Sequence, residues 1–237
     1  MRYAIALLLV ATSAPSALAQ TPPASDAQKA EEAHAAKVAE AVALMKRADP
    51  AGAIALLDPV LADYEKLYPA SGSRVVCASD VTNMLLGLVS AAADNKDAVA
   101  LDSTWCFALW ARGYSLIELG RLDEAVAPLD RAAAMMPSKA QFQSELGYVH
   151  QALKHWDQSV AAYSKAVAAA EPMTDEKSRN FELRRAWLGI AYAQIELGKL
   201  DEAEIALAKA LKAAPGDPKI LNELEYVRDA KRKRKLG

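Results

Sequence analysis

Few side chains in this 237-residue sequence are of types that do chemistry, and their spacing assembles no catalytic set. The three histidines are His34, His150 and His155. His150 and His155 stand five apart, which does not place them on one helix face for a shared metal. His34 lies in a polar Ala/Glu run and reads as a solvated residue. The adjacent carboxylates Glu31-Glu32 and Asp123-Glu124 suit helix starts or wet faces. No Gly-rich phosphate loop, nucleophile elbow or metal-ligand spacing occurs. These patterns point to no enzyme, no metal and no cofactor. Cys77 and Cys106 remain, the only cysteines and 29 positions apart. An oxidising compartment favours bridging them, which would contribute about 3.5 kcal/mol through loop closure. Two buried thiols or a metal pair are the alternatives, although two sulfurs without a histidine cluster make a poor zinc site.

The N-terminus bears on that compartment. Met1-Arg2 begins positively, Ala4 to Ala11 is apolar, and Ala17-Leu18-Ala19 has the small-x-small form of a processing site. The expectation is a signal peptide over 1–19, cleaved after Ala19, and a periplasmic or secreted protein. A flexible linker is expected over 20–32. The apolar run is too short to span a bilayer, which needs about 20 residues.

The elements that would position any site are helical. Alanine supplies 52 of 237 residues, while Phe, Trp and Gly number only 3, 4 and 10. That composition favours closely approaching helices over sheet. The chain also repeats itself. IELGRLDEAVAPLDRA (117–132) returns as IELGKLDEAEIALAKA (195–210), and segments beginning at 106, 140 and 184 share small, aromatic and proline slots. Gly120 and Gly198 fall where a first helix must turn, and Asp123-Glu124 and Asp201-Glu202 open a second helix. Ala125 and Ala203 are small where the two helices cross, and Pro137 and Pro215 stop the second. Copy two is less regular, with Lys154 in the turn slot and Ser159 in the small slot.

This pattern resembles the tetratricopeptide repeat, a 34-residue helix–turn–helix. The resemblance implies an all-α, right-handed superhelical solenoid, with repeats at 106–139, 140–173 and 184–217. Residues 174–183 are expected to extend a helix, with Thr174 as a candidate cap. The span 33–105 reads as degenerate repeats, with Pro59 kinking or opening a helix and both cysteines near the starts of successive first helices. A capping helix is expected at 218–230 and a basic tail at 231–237. In such stacks the first helices line a concave groove. The corresponding positions are Phe107, Trp110, Tyr114, Tyr148, Gln151, Arg185, Leu188, Tyr192 and Glu196, and a tyrosine recurs at the ninth position of each copy. Tyrosine pairs apolar area with a polar tip, as peptide-binding surfaces need, but the same residues would also pack neighbouring helices. The Lys/Asn/Arg set that grips a terminal carboxylate is absent, Arg185 being the one matching charge.

Charge is divided along the chain. Residues 20–227 carry 21 basic and 29 acidic side chains, whereas Arg228, Lys231, Arg232, Lys233, Arg234 and Lys235 crowd the end. The expectation is a protein or peptide partner in the groove and no nucleic acid. The alternative is an envelope-assembly or cell-wall-associated factor working through its surface, its tail touching an anionic polymer or membrane.

Overall fold

The computed structural model describes residues 25–69 and 73–236. The expected signal peptide and residues 20–24 of the expected linker lie outside them. In chain order come α1 (Asp26–Lys46), α2 (Pro50–Leu67), β1 (Arg74–Cys77), α3 (Val81–Ala93), β2 (Ala98–Leu101) and α4 (Thr104–Glu118). There follow α5 (Leu122–Met135), α6 (Ala140–Ala152), α7 (Trp156–Ala170), α8 (Glu176–Glu196), α9 (Leu200–Ala213) and α10 (Pro218–Leu236).

From α4 onward the helices stack as antiparallel pairs, α4 with α5, α6 with α7 and α8 with α9, and each pair packs on the next. The interior follows the small-residue slots. Ala125, Ala132, Ala203 and Ala210 are all fully buried. In the middle pair, Ser159 takes the slot and satisfies its hydroxyl by donating to the Gly147 carbonyl at 3.0 Å. Tyr163 fills the space left by two glycines: a Cβ would lie 2.8 Å from its ring at Gly147 and 2.3 Å at Gly189. No side chain larger than hydrogen fits at either position with the ring in place.

The turns within pairs share one geometry. A residue in left-handed conformation follows the first helix, and the next amide donates back across six residues, as in Arg121 N to Leu116 O at 2.9 Å and His155 N to His150 O at 2.8 Å. Gly120 and Gly198 adopt this conformation at no steric cost, whereas Lys154 takes it at φ 59°. That costs a side-chain-bearing residue about 1 kcal/mol.

Four expectations need correction. The span 33–105 is not a run of degenerate repeats. Helices α1 and α2 form one pair that packs directly on α4, as a preceding repeat would, and 74–101 is a strand–helix–strand unit inserted between them. Its strands are parallel, with Val75 opposite Val99 and Cys77 opposite Leu101. Short β-branched runs on both sides of a helix suit a parallel crossover better than a helix pair. Consequently Cys77 ends a strand and does not start a helix, while Cys106 lies in the first turn of α4; the two form a disulfide. Second, residues 26–32 are helical, because Ser25 and Gln28 make a reciprocal capping box at the start of α1. Third, α10 runs unbroken to Leu236, so the basic residues 231–235 continue the capping helix. Fourth, His34 is buried, with Nε2 3.3 Å from Asp63 Oδ2 and its ring 5.1 Å from that of Tyr64.

Two smaller points concern local starts. Helix α8 begins eight residues before Arg184, but its cap is Asp175, not Thr174; the Asp175 carboxylate accepts from Ser178 N at 2.8 Å. Helix α2 continues through Pro59 rather than starting there. Among the described residues, no helix is long and apolar enough to cross a membrane.

Candidate functional site: a two-lobed groove

The first helices of successive pairs present two adjoining concavities. The first, about 470 Å³, lies between α1, α4, α6 and the N-terminal extension of α8, with Trp110, Tyr114, Glu145, Phe181 and Glu182 on its walls. The second, about 260 Å³, is formed mainly by α6 and α8 and closed by α10, with Tyr148, Gln151, Leu188, Tyr192 and Lys219. Arg185 lines both.

Arg185 is fixed at this junction by Glu145, with Nη2 and Oε1 2.8 Å apart. The Glu145 side chain is only 7% exposed and that of Arg185 28%. Burial alone would lower the guanidinium's pKa, but Glu145 outweighs it and holds the value above the ordinary one. A buried pair of this kind keeps one geometry, because losing either partner strands a charge.

Glu182 is the unbalanced member. Burial, reinforced by the negative charge of Glu145, raises its carboxyl pKa against the opposing pull of Arg185 and Lys139. Its Oε2 is shielded from solvent and accepts no hydrogen bond. Tyr114 is likewise raised, by burial and then by Glu118 and Glu145. Tyr163, beneath the second lobe, is raised chiefly by burial.

The sequence-derived groove residues divide. Trp110 and Tyr114 face the first lobe; Tyr148, Gln151, Leu188 and Tyr192 face the second; Arg185 belongs to both. Tyr148 and Tyr192 are 43% and 45% exposed. Tyr192 also meets the Trp156 ring at 6.1 Å, so it packs and presents a surface at once. Phe107 and Glu196 line neither lobe. Phe107 packs edge-on against Phe142 at 5.2 Å and carries Lys139 Nζ 5.3 Å above its ring. Glu196 is exposed at the end of α8. Sequence reasoning did not select Glu145 or Glu182, nor Val42 and Met45 of α1, which complete the first lobe. Glu182 and Phe181 lie in the ten residues between repeats, where no motif position points. The apolar spacing of Phe181 and Leu183 was the signal available there.

The basic end is not a free arm. Arg228 pairs with Glu204 at 2.9 Å, and Lys231 reaches Asp201 at 2.5 Å and Glu204 at 2.8 Å. Arg232 pairs with Asp229. His150 and His155 lie 5.7 Å apart, and burial, aided by His155, lowers the His150 pKa. Among the described residues, no group of three or more His, Cys, Asp or Glu side chains could hold a metal ion.

Sequence comparison identifies the repeat. The tetratricopeptide repeat family model matches residues 111–174, and a second model of the same repeat matches 184–227. The chain carries tetratricopeptide repeats. Among solved structures, MamA from residue 41 onward of Desulfovibrio magneticus RS-1 is similar with a TM-score of 0.57. The identity is 18%, over 86% of this chain and 88% of that one. MamA of MSR-1 gives a TM-score of 0.52 and 17% identity over 84% and 87% of the two chains. The first tetratricopeptide domain of RPAP3, solved bound to an HSP90 peptide, gives 0.49 and 21% over 56% of this chain and 97% of that one. No curated protein matches the sequence. The likeness to MamA is one of fold: an all-α solenoid of tetratricopeptide repeats.

Proposed function

We propose that this protein is a non-catalytic interaction scaffold of the bacterial cell envelope whose concave groove holds a segment of a partner protein. One observation carries the reading. Among the described residues, three of the nine buried polar atoms without partners line the groove: Trp110 Nε1 and Glu182 Oε2 in the first lobe, Gln151 Oε1 in the second. Folded proteins satisfy nearly all such atoms, because each unmet one costs about 1–3 kcal/mol. Donors and acceptors left open along one groove, beside half-exposed tyrosines, suit the alternating main-chain groups of a bound segment. The bridged cysteines support an oxidising compartment and hence export. The competing reading through a basic tail is weakened by the internal pairing of Arg228 and Lys231.

The test is site-specific photo-crosslinking in the envelope of the native host, from Tyr148 and Tyr192 in the groove and from the exposed Ala208 on α9. Adducts from the two groove positions, and none from Ala208, are expected. Adducts from Ala208 alone, or from none of the three, would overturn the reading.

A further inference from the structure

The two lobes differ in what they leave unmet, and the difference names a chemistry. The first lobe combines aromatic rings with a carboxylate oxygen that accepts no hydrogen bond. Trp110 is 8% exposed and Phe181 60%, and the Trp110 and Tyr114 rings lie 5.9 Å apart. Ring faces attract cations through their quadrupoles, and the attraction strengthens as the cation loses water. Glu182 Oε2 stands shielded beside these rings with no hydrogen bond. The nearby cations are already engaged: Arg185 by Glu145 at 2.8 Å, and Lys139 above the Phe107 ring at 5.3 Å. That leaves Lys46, exposed at the rim where α1 ends.

Alternative occupants fare worse. An acidic side chain would enter between Glu145 and Glu182, and the single inner cation is already paired. An aliphatic side chain would fill the volume but seal the Glu182 oxygen away from any donor. A guanidinium or ammonium meets both demands.

We propose that the lobe between α1, α4, α6 and α8 is a cation subsite, which accepts an arginine or lysine side chain of the segment lying in the groove. This deepens the groove reading and rests on it. Glu182 pairs with the cation, and Trp110, Tyr114 and Phe181 surround its stem and face. The Trp110 N–H is left for a main-chain carbonyl of the same segment.

The experiment is selection from a displayed library of random dodecapeptides on the immobilised protein, run in parallel on the wild type and on Glu182→Gln. Arginine and lysine should be enriched by the wild type and not by the variant. The strongest wild-type peptide, made synthetically, should lose about tenfold or more in affinity with Glu182→Gln, and as much when its arginine is replaced by the neutral isostere citrulline. Both changes together should cost no more than either alone. Phe181→Ala, at an exposed position that leaves the core untouched, should weaken binding severalfold and guards against a folding artefact in the first variant. Peptides that bind without basic enrichment, and lose affinity on Tyr192→Ala, would overturn the subsite and leave the groove reading standing. Basic peptides that bind Glu182→Gln unchanged would do the same. Recovery of no peptide by the wild type would overturn both.

Discussion

The helix pairs from α4 to α9 and the strand–helix–strand unit at 74–101 are held in place by different means. In the array, every contact surface repeats. A small residue admits the crossing helix, a larger one fills the gap, and Leu129 and Leu207 sit fully buried at equivalent positions. In the inserted unit, α3 buries only Ala91, while Val81, Leu85, Leu86 and Val89 are each more than half exposed. The unit touches the array through β1 against α4 and α5, and covalently through Cys77 and Cys106. The array is thus stabilised by many interlocking contacts, the insertion by few contacts and one bond.

Removing that bond should show the contrast at its largest. Cys77→Ser with Cys106→Ser opens a loop closure of 29 residues and should cost about 3.5 kcal/mol. Urea denaturation measures the loss. Hydrogen exchange should localise it, rising over 74–101 while α6 to α9 keep their protection. Equal loosening of α6 to α9 would mean that the insertion is an integral part of the stack.

Gly189→Ala applies a comparable local perturbation within the array. The new methyl would sit 2.3 Å from the Tyr163 ring, which is 4% exposed. Overpacking of this kind costs about 1–3 kcal/mol, and here it should propagate, because Tyr163 touches both α6 of its own pair and α8 of the next. A thermal melt reads the size, and exchange rates in both α6 and α8 read the spread. An effect confined to α8 would show that the pairs are more independent than their packing implies.

The same contrast explains what was legible in the sequence. The array announced itself because each pair solves one packing problem with one set of residue sizes; a slot such as Ala125 recurs at Ala203, and a turn such as Gly120 at Gly198. The insertion occurs once, so it has no internal copy to compare with. Its helix also misleads about which side is buried, since Leu85, Leu86 and Val89 all look like core residues and are all exposed. RVVC and AVAL, short and rich in valine, were the only strand signals. In the groove, the motif positions located seven of the nine selected residues on the two lobes. Glu145 and Glu182 escaped because their importance arises from burial and from each other's charge, which spacing alone does not encode. Met45 escaped because α1 lies in the degenerate span, where the motif assigned no groove positions.

The smallest effect is expected on the groove side of the array, at Glu182. Its carboxyl pKa is raised in the folded chain, by burial and by Glu145, above its unfolded value. The folded state therefore holds this proton more tightly than the unfolded state does. Below the unfolded pKa the group is protonated in both states and costs nothing. As pH rises from there through the raised folded pKa, stability is lost, and the loss is constant above it. Glu182→Gln keeps the shape and removes the charge, so it should match the wild type in acid and exceed it slightly near neutrality, by about 1–2 °C in Tm. Melting curves of the two proteins across the acid to neutral range check both the sign and the window. A lower Tm for the variant near neutrality would mean that the carboxylate is stabilised where it stands, most directly by Arg185 or Lys139. A stabilising loss of charge at a groove position marks a residue kept at some expense to the fold, as residues that bind partners often are.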